Sequence, residues 1–203
     1  MYMPRTRKQN DAIKDKRRQD IIDAGLDLFI EKGFGGTSID DITKKLKISH
    51  GLFYHYYKDK EELLLDVRKY TRGVVFTLVD YDESDPLKYI KIITKRFLNM
   101  IKNPDSNRCL YFIVSVSLDR KIGEIYHKNI PEKTYLKKLF ESFIELGKQK
   151  KLVLYDGHES FLEYMALING LSAACMKTND VKPIQISLNS LLITFVKEEF
   201  INA

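Results

Sequence analysis

The sequence has few of the features that build disulfide-stabilised, secreted or membrane proteins. Its 203 residues include two cysteines, Cys109 and Cys175, which are far apart and lack metal-ligand spacing, so a disulfide framework is not expected. Charged residues interrupt every helix-length window, and no run reaches the roughly 18 apolar residues of a membrane span. The first ten residues lack the apolar middle of a signal peptide. We therefore expect a cytoplasmic protein with reduced thiols and no membrane partner.

The sequence also lacks the residue groupings on which most enzyme sites depend. It shows no nucleophile–base pair and no glycine-rich phosphate loop. His127 and His158 have no carboxylate or thiol partners at metal-ligand spacing. An all-α enzyme is therefore the least favoured function, and we expect no metal and no cofactor.

Apolar residues recur at helical spacing along almost the whole chain, and no convincing strand pattern is present. Clusters of Gly, Pro, Asn and Asp separate nine or ten predicted helices. The predicted helices cover residues 14–32, 38–46, 50–57, 59–79, 86–102, 106–118, 121–128, 131–150, 158–177 and 184–201. We predict an all-α fold, with a three-helix DNA-binding domain of helix-turn-helix type over residues 13–73. A larger helical domain is predicted over residues 80–203.

Residues 37–63, TSIDDITKKLKISHGLFYHYYKDKEEL, have the pattern of two short helices joined by a turn and followed by a longer helix. A Thr-Ser pair and two aspartates form an acidic variant of the capping box for the first helix. Lys47 lies in the turn, and Ser49 begins the second helix. A short helix mounted after a tight turn has the dimensions needed to enter a major groove. This segment therefore predicts DNA binding.

The second short helix has two different faces. At 100° per residue its inward face consists of Phe53, Tyr56 and Tyr57, which we expect to pack on the preceding helices. The other face consists of His50, Gly51 and Tyr54, with Leu52 and His55 at its edge. Because two histidines, a tyrosine and a leucine are unusual on a face that meets only water, we expect this face to bind DNA.

Residues 21–64, IIDAGLDLFIEKGFGGTSIDDITKKLKISHGLFYHYYKDKEELL, resemble the TetR (tetracycline-repressor-like) family of bacterial transcription regulators. The match runs without a gap from the first helix into the fourth, which makes it more specific than a bare helix-turn-helix pattern. It implies a variable C-terminal domain that binds a small ligand and dimerises. The sequence departs from the family pattern at Lys47, where glycine is usual, at His50, where lysine is common, and at Leu52, where a small polar residue is usual.

The resemblance implies DNA contacts at Thr37, Ser49, His50, Gly51, Leu52, Tyr54, His55 and Lys60, and charge adds Lys58. Hydroxyl and backbone N–H groups at helix N-termini favour phosphates, although capping alone is a sufficient role for both hydroxyl residues. The glycine lets the backbone approach DNA closely. A buried packing role is the alternative for His55, and pairing with Glu61 or Glu62 is the alternative for Lys60. The leucine has thymine methyl contact as its best role in the groove.

Positive charge is concentrated near the N-terminus. The net charge is +6, and residues 1–20 hold 7 Lys and Arg against 3 Asp and Glu. The basic residues of this arm are Arg5, Arg7, Lys8, Lys14, Lys16, Arg17 and Arg18. A solvated tail is the simpler interpretation, but the position directly before the helix-turn-helix pattern favours phosphate binding.

The C-terminal part offers weaker signals for a ligand pocket and a dimer interface. Candidate pocket residues are Phe97, Met100, Tyr111, Phe112, Tyr126, Phe143, Tyr164 and Met165, although core packing is the more common role for such residues. Candidate dimer residues on the last two helices are Leu162, Ala166, Gly170, Ala173, Leu188, Leu192 and Phe195. The alternative for these helices is a hairpin within one chain. A twofold dimer suits a palindromic operator.

The favoured function is a homodimeric transcription regulator of the repressor type, bound to a double-stranded DNA operator and released by a small-molecule effector. The effector's identity is not encoded in any recognisable motif. The alternative is an architectural or recruiting DNA-binding factor of the same fold without a small ligand. A thermal-shift screen for ligands separates the two.

Overall fold

The computed structural model describes residues 6–75, 85–118, 122, 135–153, 156–177 and 187–201. Within these ranges the chain forms ten helices, and its extended pairing is limited to an isolated bridge between Leu152 and Val196. The helices are α1 (Arg7–Gly36), α2 (Ile39–Leu46), α3 (His50–Tyr56), α4 (Lys60–Val75), α5 (Pro86–Lys102), α6 (Pro104–Leu118), α7 (Tyr135–Lys148), α8 (Gly157–Lys177), α9 (Leu188–Leu192) and α10 (Glu198–Ile201). The prediction of an all-α fold is confirmed. Among these helices none is long and apolar enough to cross a membrane.

The residues group into two compact units. The first comprises Met1–Gly73 and Ser115–His127, and the second comprises Val74–Val114 and Lys128–Ala203. The sequence-based division differs from this grouping because it placed residues 115–127 in the second domain. The predicted helix at 121–128 lies outside the described residues, except for Ile122.

Helix α1 begins at Arg7, two turns before the predicted start near Lys14. Thr6 and Gln9 form a capping box, in which the Thr6 hydroxyl accepts from the Gln9 backbone N–H at 3.3 Å and the Gln9 side chain accepts from the Thr6 N–H at 2.9 Å. The basic arm from residue 7 onward is therefore helical rather than a loose tail. Gly33 interrupts α1 at φ 72° and ψ 161°, a conformation that only glycine adopts easily.

Helices α2 and α3 form the predicted helix-turn-helix. Ser38 and Asp41 cap α2 with a capping box, which confirms the acidic variant. Lys47 adopts the left-handed conformation at φ 53° and ψ 46°, at a cost of about 1 kcal/mol for a side chain other than glycine. The Ile48 N–H donates to the Thr43 carbonyl at 3.0 Å. This turn fixes the angle at which α3 leaves α2.

The second unit is built around α5, which packs against α7, α8 and α9. Its core includes an aromatic cluster in which the rings of Phe143 and Tyr164 lie 5.2 Å apart and those of Tyr164 and Phe195 lie 5.7 Å apart. Gly157 starts α8 against α7, where an added Cβ would lie 2.5 Å from the Ile144 Cα. Glycine therefore permits the close approach of these two helices.

The predicted last helix at 184–201 is wrong as a single element. The described part of this segment contains two short helices, α9 and α10, separated by residues 193–197. The Val153 N–H donates to the Phe195 carbonyl at 3.0 Å, and the Lys197 N–H donates to the Lys151 carbonyl at 3.1 Å. This local pairing with the segment after α7 satisfies backbone groups that a continuous helix would have bonded internally.

Candidate nucleic-acid interface

Helix α3 presents the outer face that the helical periodicity predicts. Ser49 is its N-cap, and the Ser49 hydroxyl accepts from the Leu52 N–H at 3.2 Å. Phe53 is fully buried, and so is Tyr57, directly after the helix. The outward residues His50, Gly51, Tyr54 and His55 are exposed, whereas Leu52 and Tyr56 are half-buried. The buried alternative for His55 is therefore wrong; its ring lies edge-on to Tyr56, with centroids 5.1 Å apart.

Gly51 lies in the first turn of α3 with open space where its side chain would be. An added Cβ would have the Ser49 hydroxyl, at 3.9 Å, as its nearest neighbour, and the residue does not have a positive φ. The packing of this unit therefore does not require glycine here. Glycine within a helix costs about 1 kcal/mol relative to alanine, and no contact within this unit offsets that cost.

His50 is held against the preceding helix. Its Nε2 atom lies 3.1 Å from Oδ1 of Asp40 in the first turn of α2, and Lys44 pairs with the other carboxylate oxygen, Oδ2. Hydrogen bonds from Lys44 and then His50 lower the pKa of Asp40. The carboxylate therefore stays charged and orients the imidazole on the outer surface. The sequence analysis did not identify Asp40 as a site residue, because ten residues and a turn separate it from His50.

Thr37 does not offer its hydroxyl to a phosphate. It is 2% exposed, and the hydroxyl donates to the Leu28 carbonyl at 3.1 Å and the Gly33 carbonyl at 2.8 Å. Its backbone N–H donates to the Phe34 carbonyl at 3.3 Å. The expected phosphate contact is therefore corrected: Thr37 closes the end of α1, and Ser38 caps α2.

Lys60 also has an internal role. Its ammonium donates to the carbonyls of Phe34 and Thr37, each at 2.6 Å, and lies 4.3 Å from the centre of the Phe34 ring. The predicted phosphate contact and the alternative pairing with Glu61 or Glu62 are both corrected. Lys60 ties the start of α4 to the segment that joins α1 to α2.

Two other lysines remain on the surface near α3. Lys58 is exposed, with its ammonium 4.0 Å from the Asp59 carboxylate, at the limit of an ion pair. Lys47 is exposed in the turn before α3 and has no ion-pair partner among the described residues. Sequence analysis noted Lys47 only as a departure at the turn, although its charge and position make it a candidate for contact with a phosphate.

The basic residues of α1 divide into paired and exposed cations. Arg18 bonds to Asp66 of α4, with Nε 2.7 Å from Oδ2, and Arg17 lies 3.7 Å from Asp20. Arg7, Lys8, Lys14 and Lys16 are exposed on the first turns of the helix. Arg5 lies outside the described residues. The helical part of the arm therefore presents four exposed cations on different sides of α1, while Arg18 bonds to Asp66.

The predicted pocket residues lie mainly in the core of the second unit. Phe97, Phe112, Phe143 and Tyr164 are at most 2% exposed, and the Tyr164 hydroxyl bonds to Thr94 at 2.9 Å. Met100 is buried, Tyr111 and Met165 are half-buried, and Tyr126 lies outside the described residues. A surface groove of about 440 Å³ between α5 and the start of α6 shares Met100 alone with the predicted set.

The predicted dimer residues separate into two groups. On α8, Leu162, Ala166 and Gly170 are exposed and Ala173 is half-buried, so one helix face carries small and apolar side chains outward. Leu188 is half-buried, but Leu192 and Phe195 are at most 3% exposed. The assignment of Leu192 and Phe195 to an interface between chains is wrong, because both side chains fill the core of their own chain.

Comparisons with known proteins match the helix-turn-helix segment to a family of bacterial regulatory proteins. A family model described as bacterial regulatory proteins of the tetR family matches residues 21–67. The uncharacterised HTH-type transcriptional regulator YuxN of Bacillus subtilis is 28% identical over 186 residues, which cover 86% of this chain and 60% of YuxN. The biofilm operon icaADBC negative regulator IcaR of Staphylococcus epidermidis is 45% identical over 51 residues, 25% of each chain. The chain therefore spans less than two thirds of these relatives.

The fold is also similar to that of a solved structure. The crystal structure of MexZ, a repressor responsible for antibiotic resistance in Pseudomonas aeruginosa, matches with a TM-score of 0.60 at 20% identity, covering 83% of this chain and 87% of MexZ. At that identity the likeness concerns the fold alone. The described part of the chain contains no cluster of three or more side chains suited to a metal ion.

Proposed function

We propose that this chain, whose residues 21–67 match the model of the tetR family of bacterial regulatory proteins, binds a palindromic DNA operator as a homodimer. In this proposal it represses transcription and leaves the operator when a small molecule binds the second unit. IcaR is named as a negative regulator, which favours repression over activation. The observation that carries the proposal is the outer face of α3, which the fold leaves exposed and keeps free of side-chain bulk at Gly51.

The outer face of α3 suits a major groove in shape and chemistry. Gly51 leaves room for the DNA backbone, and Tyr54, 52% exposed, offers a phenol to a phosphate and a ring to a sugar. Ser49 lies at the N-terminus of α3, and two exposed cations flank the helix, Lys47 in the turn before it and Lys58 after its C-terminal end. Leu52 and His55 complete the surface, the first for thymine methyl groups and the second as a hydrogen-bond donor.

The exposed side of α8 supports the homodimer. Leu162 is 52% exposed and Leu167 is 36% exposed, while Ala166 and Gly170 allow another helix to approach closely. An added Cβ at Gly170 would touch nothing within 4 Å. This face, which also carries the exposed Glu159 and Glu163, offers small and apolar side chains to a twofold contact between two chains.

Binding to the DNA upstream of the protein's own gene, measured by fluorescence anisotropy at increasing salt, tests the proposal. We expect tight, sequence-selective binding that weakens steeply with salt, because each phosphate contact releases counterions. Equal binding to the upstream duplex and to a scrambled duplex of the same length would overturn it. A thermal-shift screen then separates an effector-released repressor from a factor of the same fold that takes no small ligand.

A further inference from the structure

His50 and Asp40 form a matched pair on the exposed side of the helix-turn-helix. His50 is the first residue of α3, and the first residues of a recognition helix are those that meet base edges. Its side chain is 55% exposed and that of Asp40 is 50% exposed, with 3.1 Å between Nε2 and Oδ1. The pair therefore lies where a base edge would be read, rather than inside the packing of α2 and α3.

We propose that Asp40 is a positioning residue that fixes the tautomer of His50, so that His50 reads an adenine or cytosine amino group through Nδ1. This inference rests on the proposed DNA-binding function. Asp40 lies on α2 and itself contacts no base. Through His50 it takes part in selecting the operator sequence.

The chemistry of the pair sets the direction of the hydrogen bond. An ionised carboxylate has only acceptors, so the Nε2 atom that faces Asp40 carries the proton. A neutral imidazole has one N–H group, which leaves Nδ1 as an acceptor. Lys44, bonded to the second oxygen of Asp40, helps to keep that carboxylate ionised and in place.

Only some of the bases present a hydrogen-bond donor to this Nδ1 acceptor in the major groove. Adenine presents the N6 amino group and cytosine the N4 amino group, whereas guanine N7 and O6 and thymine O4 are acceptors. An Nδ1 acceptor is complementary to the amino groups and opposes guanine and thymine. A histidine that can carry its proton on either nitrogen can bond to a base that offers a donor or to one that offers an acceptor. By fixing the proton on Nε2, the Asp40 carboxylate restricts His50 to bases that offer a donor.

Selection of bound duplexes from a randomised library, at about pH 8, tests the inference. The proteins compared are the wild type, Asp40→Ala, His50→Ala and the double variant. The base position that loses its preference in His50→Ala is the one that His50 reads. We expect adenine or cytosine there in the wild type, by roughly tenfold over guanine or thymine. In Asp40→Ala, guanine and thymine should gain at that position alone.

The double variant and a charge control separate tautomer control from general electrostatics. In the His50→Ala background, Asp40→Ala should change no base preference further, because its effect passes through the imidazole. Lys58→Gln removes one positive charge at an exposed lysine outside the pair, and should weaken binding to all sequences without changing the preferred base. A preference for guanine at the His50 position in the wild type, or an unchanged preference in Asp40→Ala, would overturn the inference.

Nitrogen-15 NMR of labelled histidine gives a second measurement that does not depend on the variants. We expect the protonated nitrogen of His50 to be Nε2 in both the free protein and its DNA complex. A protonated Nδ1 in the complex would overturn the inference while leaving DNA binding intact. If the wild type selects no sequence at all, the proposed function fails and this inference fails with it.

Discussion

The Tyr57 hydroxyl donates a hydrogen bond to Oδ2 of Asp66 at 3.0 Å, and Arg18 donates to the same oxygen from α1. Tyr57 directly follows α3, and Asp66 lies on α4. One carboxylate oxygen therefore connects the end of the recognition helix to α1 and α4. Because the contact is local to the first unit, it also fixes the position of α3 on that unit.

Tyr57→Phe tests this connection. The ring stays buried, but the hydroxyl no longer satisfies Asp66, so we expect the free energy of unfolding to fall by about 1 kcal/mol. DNA affinity should fall as well, because the end of α3 is less firmly held. Urea denaturation and anisotropy measure the two effects. Tyr56→Phe is the matched control at a half-buried ring; an equal loss of stability in both variants would contradict the special role of Tyr57.

Stability should fall at alkaline pH because of two buried phenols. Burial, reinforced by Asp66, raises the pKa of Tyr57, and burial raises the pKa of Tyr164. An unfolded tyrosine ionises near pH 10, so above that pH the unfolded chain releases protons that the folded chain retains. The stabilisation is complete below about pH 10 and is lost as the pH rises above it.

Urea denaturation between about pH 9 and pH 11 measures this dependence. Tyr164→Phe removes one of the two groups and should flatten the decline, while Thr94 keeps its bond to the Ile90 carbonyl at 2.7 Å. A decline of the same slope in Tyr164→Phe would show that the buried phenol of Tyr164 does not contribute.

Gly51→Ala should separate DNA binding from stability. The added methyl group meets open space, and alanine favours the helix by up to about 1 kcal/mol, so stability should hold or rise. DNA affinity should fall by about tenfold or more because the methyl group keeps the helix from the groove. Gly73→Ala in α4, also with nothing within 4 Å, is the control and should keep full affinity. Wild-type affinity in Gly51→Ala would contradict close approach at this position.

Lys60→Met tests whether this lysine supports the fold. The methionine retains an apolar stem over Phe34, but two carbonyls lose a charged donor, and we expect a loss of about 1–2 kcal/mol in unfolding free energy. Lys58→Met, at an exposed and weakly paired lysine, should leave stability unchanged and reduce the salt dependence of DNA binding. If Lys60→Met leaves the denaturation midpoint where it is, the internal role of this lysine is refuted.

Ala166→Glu tests the α8 dimer surface. Across a twofold contact each glutamate would face apolar surface and its own copy, so we expect monomers in sedimentation velocity and weak operator binding. Because Ala166 is exposed within one chain, the variant should keep its helical circular dichroism. Ile92→Glu, on α5 at a residue 42% exposed, should leave the association unchanged. A dimeric Ala166→Glu would remove this face from the interface.

The local sequence determined the caps of α2 and α3 and the two faces of α3. Period, Ser caps and the turn before Ser49 act over a few residues, so Phe53 inward and Tyr54 outward follow from helical geometry alone. Each of these features depends on residues within about one helical turn, so each can be predicted from the sequence without knowledge of the tertiary fold.

Only the tertiary structure decided how several polar groups and apolar side chains are used. Lys60 reaches carbonyls 23 and 26 residues away, and His50 meets Asp40 across a turn. Phe195 fills its own core, since the backbone around Val196 pairs with residues near Leu152. No local sequence pattern indicates such partners. The spacing of apolar and charged residues shows which face of a helix a side chain lies on. Its partner depends on which distant segment the tertiary fold brings within reach.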